Sequence, residues 1–399
     1  MKILTVSTRD ISGGAALAAY RFHREYADLG LEATMLVGEK KSDDKSVIEC
    51  RNRSTAIKSK LEHVPLRMIN MTDRNISFFT NGVINEIRKE NPDVVHLHWF
   101  HNAFLSIEEL LEIQKPIIWT MHDMWAFSDA RHYVLESEAP EYRSSFIIDK
   151  WVWKRKFDVY KKLKNVVFVS PSKWLSTCAG GSILLKDQQV MTIANGVDTK
   201  FFVPFEKKEL RIKYGLSKDD YIILYVGENI NDQRKGFDFF VKALRSISIE
   251  RDNKIVVAVA GHPGPTVLDS IENVRVVYFG KVENQEKMKD IFSLSNLLVL
   301  PTMIDNLPNT LVEAFACGCP AISFDVGGVS DIIDDGSNGL LIDPKDYIAL
   351  GKGVIWMIEN ASKIDFSENA RRKAIEKFDL NQQAKAYLEL FNGLLAKQE

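Results

Sequence analysis

The feature that most constrains the fold is an alternation of short runs rich in valine and isoleucine with longer amphipathic segments. Runs of four to six apolar residues without polar alternation are typical of strands buried on both faces of a parallel sheet. In the first half the predicted strands are Lys2–Ser7, Ala33–Val37, Val94–His98, Ile117–Met121, Val166–Val169 and Val190–Ala194. In the second half they are Ile222–Val226, Ile255–Ala260, Val274–Phe279, Leu297–Leu300, Ala321–Phe324 and Leu340–Ile342.

Helix-like segments lie between these runs. They include Ala15–Leu29, Phe104–Gln114, Gly236–Ile247, Glu283–Phe292 and Asn309–Ala316. Repeated strand-then-helix units predict right-handed βαβ crossovers. We therefore expect an α/β protein with doubly wound parallel sheets.

The alternation restarts after a turn-rich cluster at Asn195–Asp198 and a polar stretch at Pro204–Tyr214. The chain has 399 residues, enough for about two typical domains. We predict an N-terminal Rossmann-like domain over residues 1–200, a C-terminal one over 201–379, about six strands in each, and a hinge near 195–205. Residues 380–399 contain an amphipathic helix, Leu380–Leu395, which we expect to pack back across the domains.

Composition excludes several classes of protein. Lysine plus arginine number 52 and aspartate plus glutamate 54, so the net charge of −2 gives no bulk reason to expect nucleic-acid binding. The apolar runs are too short to span a membrane, and the residues after Met1 are predicted as a strand rather than a signal peptide. The four cysteines, Cys50, Cys178, Cys317 and Cys319, show no disulfide-framework or zinc spacing. A cytoplasmic protein fits this composition.

A glycine pair, Gly13-Gly14, follows the first predicted strand and opens the first predicted helix. Backbone N–H groups there can approach a ligand, and a helix N-terminus favours phosphate or carboxylate. The spacing differs from the G-x-G-x-x-G dinucleotide fingerprint, so a phosphate contact and a simple tight turn both remain open.

Two acids stand eight residues apart in the second half. Asp305 lies on a loop after the predicted strand Leu297–Leu300, and Glu313 lies within the predicted helix Asn309–Ala316. Doubly wound sheets bind ligands at loops after strand carboxyl ends, and a helix start offers N–H groups to phosphate. Carboxylates there can hold vicinal sugar hydroxyls. The alternative is that Asp305 caps a turn and Glu313 is an exposed helix residue.

The stretch from Asp305 to Pro320 resembles the Glu-x7-Glu signature of retaining glycosyltransferases with the GT-B fold, glycosyltransferase family 4 in particular. The glycine loop Gly327-Gly328 and the segment up to Gly339 are similar to the family's next motifs, and the likeness covers nearly the whole chain. One departure is that the first acid is an aspartate, one methylene shorter. The resemblance implies GT-B architecture, with two Rossmann-like domains facing across a cleft.

The resemblance also implies a nucleotide-sugar site. Glu313 would bind the ribose of a nucleotide-diphosphate sugar and Asp305 the transferred sugar. Lys235 matches a family lysine that neutralises the diphosphate. Glu228 stands where the family has an arginine, so we predict that Arg234 supplies that charge; the alternative is that Arg234 and Lys235 are a solvated loop. The other implied donor contacts are Gly13, Gly14, Asn306, Leu307, Asn309, Thr310 and, in the loop Gly280–Glu283 expected to select the base, Val282.

Histidines cluster in the first half of the chain, at His96, His98, His101, His122 and His132. Zinc is one alternative, but no acid or cysteine set completes a metal site, and we predict no metal. By the resemblance, His122 would lie against the donor sugar with Asp123 orienting it, and the acceptor side would be lined by His98, His101 and Trp125. The structural alternative is a set of buried, hydrogen-bonded histidines.

The segment Phe146–Lys164 mixes tryptophans with many lysines and arginines. Such a helix suits a membrane interface that carries a lipid-linked acceptor. It equally suits an ordinary helix with core tryptophans and solvated lysines, which we slightly favour.

We predict a retaining, metal-independent glycosyltransferase of the hexosyltransferase type, active in polysaccharide biosynthesis. It would move a sugar from a nucleotide-diphosphate sugar to a hydroxyl of a glycan or lipid-linked acceptor, by front-face attack and without a cofactor. The predicted catalytic residues are His122, Arg234, Lys235 and Asp305. The alternatives are a GT-B-fold sugar-nucleotide epimerase and a non-catalytic module that binds nucleotide or glycan.

Overall fold

The computed structural model describes residues 1–50, 55–134, 144–247, 255–262, 267–271 and 274–397. The chain divides into two compact units, the first comprising Met1–Gly196 with Leu380–Glu399 and the second Val197–Asp379. Each unit contains a parallel sheet with helices packed on it, which confirms the predicted α/β class.

The first unit holds seven strands within its described residues: β1 (Lys2–Arg9), β2 (Glu32–Glu39), β3 (Val47–Glu49), β4 (Val94–Leu97), β5 (Ile117–Thr120), β6 (Val166–Ser170) and β7 (Gln189–Thr192). Their order is β3-β2-β1-β4-β5-β6-β7, and the neighbours are parallel. Apolar runs form strands here because both faces are covered: Leu4 and Val6 enter one core and Ile3 another. The sequence predicted six of these strands and missed the three-residue edge strand β3.

The helices α1 to α5 also belong to the first unit: α1 (Gly14–Asp28), α2 (Thr55–Met68), α3 (Val83–Glu90), α4 (Ile147–Tyr160) and α5 (Lys173–Gly181). The predicted helix Phe104–Gln114 is wrong, because only Glu108–Glu112 form a short 3-10 helix. The Phe104 carbonyl accepts the Asn81 N–H, and the Ile107 N–H donates to the Ser77 carbonyl, both at 3.2 Å. These tertiary bonds replace the bonds that an α-helix would make.

The second unit repeats the order of the first. Its strands are β8 (Tyr221–Asn229), β9 (Ile255–His262), β10 (Arg275–Gly280), β11 (Leu297–Leu300), β12 (Ala321–Phe324) and β13 (Gly339–Ile342). They are arranged as β10-β9-β8-β11-β12-β13 with parallel pairing. In both sheets, therefore, the strand order reverses next to the unit's first strand, which is the switch point where such sheets bind ligands.

Six further helices lie in the described part of the second unit: α6 (Lys207–Lys213), α7 (Phe237–Ser246), α8 (Gln285–Leu294), α9 (Asn309–Ala316), α10 (Tyr347–Asn360) and α11 (Phe366–Phe378). Helix α9 has the predicted bounds. Its apolar face is buried, and it begins directly after the loop that carries Asp305.

The last helix, α12 (Leu380–Leu395), has the predicted bounds and belongs to the first unit. Tyr387 meets Phe22 of α1 edge to face with ring centroids 4.9 Å apart, and Phe391 meets Tyr26 at 5.3 Å. The Tyr387 hydroxyl lies 2.7 Å from the Thr120 hydroxyl at the end of β5. The packing of this helix across both units stays a prediction. Among the described helices, none is both long and apolar enough to cross a bilayer.

Candidate active site

The carboxyl edge of the second sheet brings together loops from three strands. The Met303 N–H, after β11, donates to the Arg234 carbonyl, after β8, at 2.7 Å. The Gly328 N–H, after β12, donates to the Asp305 carbonyl at 3.1 Å. Gly327 takes a φ of 57° beside this carbonyl, and a Cβ there would collide with the Asp305 carbonyl oxygen. The three loops are thus held together at the switch point.

Lys235 is positioned by a tight turn at this edge. A 3-10 turn over Gln233–Lys235 is capped by Asp232, and Gly236 follows with a φ of 69°. A Cβ at Gly236 would collide with the Pro301 carbonyl oxygen, so a glycine is required where this turn meets the end of β11. The Tyr225 hydroxyl also donates to the Lys235 carbonyl at 3.2 Å. The backbone under Lys235 is therefore fixed on several sides.

Lys235 and Asp305 form an ion pair, with Nζ donating to Oδ2 at 2.8 Å. Both side chains are partly buried. The pairing joins two residues that are 70 positions apart in sequence and that were both assigned to the donor site. It leaves a cation and a carboxylate side by side at the switch point.

Arg234 is more exposed than its neighbour and pairs with Asp232 in its own turn at 2.8 Å. Glu228, where the family resemblance led us to expect an arginine, is exposed at the end of β8. Arg234, in the same turn as Lys235, lies at the carboxyl edge of the second sheet. Asp232, which holds the arginine, was not singled out in the sequence, although an acid two residues before an arginine in a turn is a readable signal.

Helix α9 begins at Asn309, with Pro308 as its N-cap and no capping side chain. N–H groups in the first turn of a helix point away from its own carbonyls, so this end is suited to an anion. Asn309 and Thr310 are half-buried, and Glu313, one turn further, is buried rather than an exposed helix residue. Asn306 and Leu307, just before the helix, are buried too.

The remaining implied donor contacts, Val282, Gly13 and Gly14, lie in loops that follow the carboxyl ends of strands. Val282 is half-buried in the loop after β10, next to Gly280, which has a φ of 68°. Gly13 has a φ of 92° and is the N-cap of α1, which Gly14 begins. The glycine pair therefore lies at the carboxyl edge of the first sheet, after β1, where the strand order reverses.

In the first unit the histidines are brought to that same carboxyl edge. His96 on β4 is fully buried, with Nδ1 3.1 Å from the Tyr26 hydroxyl and Nε2 2.8 Å from the Thr120 hydroxyl. Its role is therefore structural. His98 is also buried, and its Nδ1 lies 2.9 Å from Nε2 of His122. The His98 Nε2 atom is buried with no hydrogen-bond partner.

These imidazoles are uncharged at neutral pH. Burial lowers the pKa of His122 to about 4, against a smaller opposing effect of Asp123, and burial lowers the pKa of His98 well below its usual range. The pKa of His96 falls to about 3 for the same reason. Neutral imidazoles donate and accept hydrogen bonds but carry no positive charge.

That Asp123 orients His122 stays a prediction, and Asp123 has other partners as well. Its Oδ2 atom lies 2.6 Å from Nδ1 of His132, and its Oδ1 accepts the Trp125 N–H at 2.9 Å. Burial raises the pKa of Asp123, but His132 and the Trp125 N–H outweigh it and leave the pKa at about 2. His122 also contacts His98, and this contact between residues that follow two neighbouring strands is not visible in the linear spacing.

His101 and Trp125 are buried against each other, with ring centroids 4.2 Å apart. The His101 Nδ1 atom lies 2.7 Å from the Ser77 hydroxyl, and the Trp125 indole N–H donates to the Asn75 carbonyl at 2.8 Å. With His98 and His122, these side chains line a small open pocket. Their assignment to the acceptor side stays a prediction.

The basic residues of the Phe146–Lys164 segment are not all solvated. Lys156 is fully buried, and its Nζ donates to the carbonyls of Trp125, Ser128 and Asp129 while lying 3.4 Å from the centre of the Trp125 ring. Arg155 donates to the Ile76 carbonyl at 2.6 Å. Both side chains hold loops of the first unit in place. No local sequence signal distinguishes them from the exposed lysines nearby.

In the residues that the structure describes, no group of three or more histidine, cysteine, aspartate or glutamate side chains is placed to hold a metal ion. Arg234 and Lys235 are two cations at the carboxyl edge of the second sheet.

Two family models match the chain. "Glycosyltransferase Family 4" matches residues 12–201 and "Glycosyl transferases group 1" matches residues 206–376, so that together they cover nearly the whole chain. One curated relative, N-acetyl-alpha-D-glucosaminyl L-malate synthase of Bacillus anthracis, is 24% identical over 52% of this chain and 55% of the relative. Another, D-inositol 3-phosphate glycosyltransferase 2 of Catenulispora acidiphila, is 31% identical over 46% of this chain and 45% of the relative. The chain thus matches about half the length of these two relatives.

Solved structures share the fold over the whole chain. Sucrose-phosphate synthase of Thermosynechococcus elongatus has a TM-score of 0.73 at 17% identity and covers 100% of both chains. Anabaena Alr3699/HepE, in complex with UDP and glucose, has a TM-score of 0.68 at 15% identity and covers 98% of this chain and 100% of its own. With the two sheets, the paired motifs and both family models in agreement, the chain belongs to the family 4 and group 1 glycosyltransferases and has the GT-B fold.

Proposed function

We propose that this glycosyltransferase is a retaining enzyme that takes its sugar from a nucleotide-diphosphate sugar and passes it to a hydroxyl of a glycan or lipid-linked acceptor, without a metal. The observation that carries the proposal is the Lys235–Asp305 pair at 2.8 Å, next to the start of α9. A diphosphate and a sugar need a cation and a carboxylate side by side, and this edge supplies both.

In this proposal the diphosphate lies against Lys235, Arg234 and the first turn of α9. Glu313 accepts hydrogen bonds from the ribose, and Asp305 accepts them from the transferred sugar. Asn306, Leu307, Asn309 and Thr310 line the same loop and helix start. The shared fold with HepE, whose structures hold UDP and UDP-glucose, supports a nucleotide sugar as donor.

The chemistry then depends on stabilising the leaving group. The bond between the anomeric carbon and the β-phosphate oxygen breaks, and negative charge grows on that phosphate while the sugar gains oxocarbenium character. Lys235, Arg234 and the α9 N–H groups stabilise this charge, which is why no metal is required. The acceptor oxygen bonds to the anomeric carbon on the face that the diphosphate leaves, and its proton passes to the departing phosphate oxygen. Asp305 is held by Lys235, which argues for binding rather than for nucleophilic attack.

The acceptor is proposed to meet the first unit's histidines and aromatic rings. Neutral imidazoles at His98, His101 and His122 can exchange hydrogen bonds with sugar hydroxyls without repelling or attracting charge. The prediction that His122 contacts the transferred sugar stays part of the proposal.

All four cysteines are free thiols, which supports a cytoplasmic setting.

The test has three steps on one protein. Calorimetric titration with UDP, GDP and ADP identifies the base, and release of sugar from the matching nucleotide sugars identifies the donor. Proton NMR of the product then reports the anomeric configuration, and turnover is repeated with excess EDTA. Retained configuration and unchanged turnover in EDTA are expected. Inverted configuration, epimerised donor or binding without turnover would contradict the proposal, and the last two would favour an epimerase or a binding module.

A further inference from the structure

The loop that carries His101 is bent by two consecutive residues in the left-handed backbone region. Asn102 has a φ of 63° and Ala103 a φ of 57°. Ala103 is fully buried, and the Leu105 N–H donates to the Phe100 carbonyl across the turn at 3.3 Å. Residues with a Cβ are strained in this region, so the turn persists only because its surroundings hold it.

A third strained residue, Ser77, lies against the same loop. It is buried with a φ of 42°. Its hydroxyl lies 2.7 Å from Nδ1 of His101, and its carbonyl accepts the Ile107 N–H at 3.2 Å and an Arg155 N–H at 3.0 Å. The position of the His101 ring therefore depends on two strained segments, one that contains the residue next to it and one that contains its hydrogen-bond partner.

A single carboxylate on α2 joins these two segments. Glu62 is 1% exposed. Its Oε1 atom accepts the N–H groups of Phe78 and Phe79, which directly follow Ser77, at 2.8 and 2.7 Å. Its Oε2 atom accepts the Ala103 N–H at 3.2 Å. Both oxygens are thus used, one for each strained segment.

The residues around Glu62 hold the helix to the same two segments. One turn earlier on α2, Lys58 donates to the Thr80 carbonyl at 2.8 Å. The next residue, His63, has Nε2 2.8 Å from Oδ1 of Asn102. Helix α2 is therefore in place to fix where both segments run, and Glu62 makes the largest number of these bonds.

His101 is the member of the pocket that these bonds reach. Its ring meets Trp125 and Trp99 edge to face, with centroids 4.2 and 4.6 Å apart, and all three side chains line the pocket. Protein interiors are close-packed, so a shift of this ring changes the shape of the pocket.

We propose that Glu62 is a positioning residue for the acceptor, which acts by holding the two strained segments so that His101 keeps its place. The inference rests on the proposed function in one respect, that the pocket of the first unit takes the acceptor. A carboxylate is suited to this task because both its oxygens accept hydrogen bonds. A glutamine has one accepting oxygen and an NH₂ group that would face an N–H donor.

The first experiment is NMR of the histidine imidazoles in the isotope-labelled full chain, with and without Glu62→Gln. The His101 resonances, assigned with His101→Gln, should shift or broaden, because glutamine must release one of the two segments. The His96 resonances should stay, since its partners are not changed. The matched control is Glu90→Gln, at a carboxylate that pairs with Lys2 in the same unit, and it should leave both sets of resonances unchanged.

The second experiment relieves the strain instead of restoring the carboxylate. Glycine adopts a φ of 57° freely, so adding Ala103→Gly to Glu62→Gln should return the His101 resonances towards those of the unchanged protein. Ala130→Gly, at another fully buried loop alanine that is not in the left-handed region, should not. As single variants, Ala103→Gly should melt about 2–4 °C above Ala130→Gly. This comparison keeps the proposal testable if Glu62→Gln does not fold.

The third experiment measures transfer to a p-nitrophenyl glycoside that the unchanged protein glycosylates. Glu62→Gln should raise the KM for this acceptor about tenfold and Ala103→Gly should lower it again, while the affinity for nucleoside diphosphate stays. An unchanged acceptor KM would overturn the proposal. So would unmoved His101 resonances in folded Glu62→Gln, His96 resonances that move with them, or equal melting of the two glycine variants. NMR and melting need neither donor nor acceptor, so their failure is separate from failure of the proposed function.

Discussion

The two sheets of this protein have the same strand order around their first strands, yet the chemistry at their carboxyl edges differs. In the first sheet, β4 and β5 lead to His98 and His122, two imidazoles that contact each other and whose pKa values are lowered by burial. In the second, β8 and β11 lead to Lys235 and Asp305, which form an ion pair. One topology thus supports a histidine-rich edge and a charged edge, the latter with a cation beside a carboxylate.

The proposed function is divided between these two edges. Charge that grows during a reaction is stabilised by cations and helix N-termini, and the second edge has Lys235, Arg234 and the start of α9. Neutral imidazoles and indoles at the first edge are suited to hydroxyl groups and ring faces. The predictions below test this division, starting with the largest expected effect.

Lys235→Ala should lower turnover by about 10²- to 10³-fold, because the lysine faces charge that is greater in the transition state than in the bound donor. Arg234→Ala should cost less, since this residue is more exposed and already paired with Asp232. Steady-state kinetics with a saturating nucleotide sugar measures both. Lys218→Ala, an exposed lysine on a loop of the same unit, is the control. Full turnover in Lys235→Ala would remove the charge argument.

Glu313→Gln should weaken donor binding by about 1.5–3 kcal/mol, or about 10- to 150-fold, because charge-assisted hydrogen bonds to ribose are lost. The change preserves shape, so folding should be retained. Calorimetric titration with the matching nucleoside diphosphate measures the loss, and Glu359→Gln, an exposed glutamate on α10, should have no effect. An unchanged affinity in folded Glu313→Gln would place the ribose elsewhere.

Asp305→Asn should affect two ligands in opposite directions. Without the carboxylate, Lys235 no longer has to leave an ion pair to meet the diphosphate, so nucleoside diphosphate affinity should rise about two- to fivefold, the usual worth of a partly exposed pair. Turnover of the nucleotide sugar should fall, because the sugar loses its acceptor. Asp334→Asn breaks another ion pair in the same unit, with Lys373, and should do neither. Weaker diphosphate binding in Asp305→Asn would show that the pair does not compete with the ligand.

The smallest expected effect is that of acid, which should destabilise the first unit before the second. Seven of the eight histidines lie in the first unit. Burial lowers the pKa of His96 to about 3, so below about pH 6.5 the unfolded chain takes up a proton that the folded chain does not. Stability is therefore complete above pH 6.5 and falls towards pH 3, by about 1.4 kcal/mol per pH unit for this group.

The loss of stability can be measured by amide hydrogen exchange between about pH 7 and about pH 5. The amides of β4 and β5 are compared with those of β8 and β11. His96→Gln should reduce the pH dependence by the share of this one group, and His63→Gln, at a half-buried histidine on α2, should not. Equal acid sensitivity of the two sheets would contradict the argument.

Much of the fold could be predicted because strands buried on both faces are read directly as apolar runs, as Leu297–Leu300 and Ala321–Phe324 were. The edge strand β3 could not be predicted, because its three residues are too few to form an apolar run. The Phe104–Gln114 segment has helical periodicity, but its backbone bonds to Ser77 and Asn81 are tertiary and leave no sequence pattern.

The candidate site was less predictable than the fold. Spacing suggested Asp305 and Glu313 together, and the structure adds that Asp305 holds Lys235. The pairing of His98 with His122, and of Asp123 with His132, depends on which strands are neighbours and on the path of one loop. The burial of Lys156 beneath Trp125 depends on three carbonyls from another segment, which a one-dimensional reading cannot show.

The most direct test of the division between the two edges is one calorimetric series. Nucleoside diphosphates (UDP, GDP and ADP in turn) are titrated into the unchanged protein, Lys235→Ala and His122→Ala. Our account predicts that one diphosphate binds the unchanged protein, that Lys235→Ala loses most of that affinity, and that His122→Ala keeps it, because a diphosphate without a sugar needs only the charged edge. Loss of binding in His122→Ala with full binding in Lys235→Ala would contradict the account.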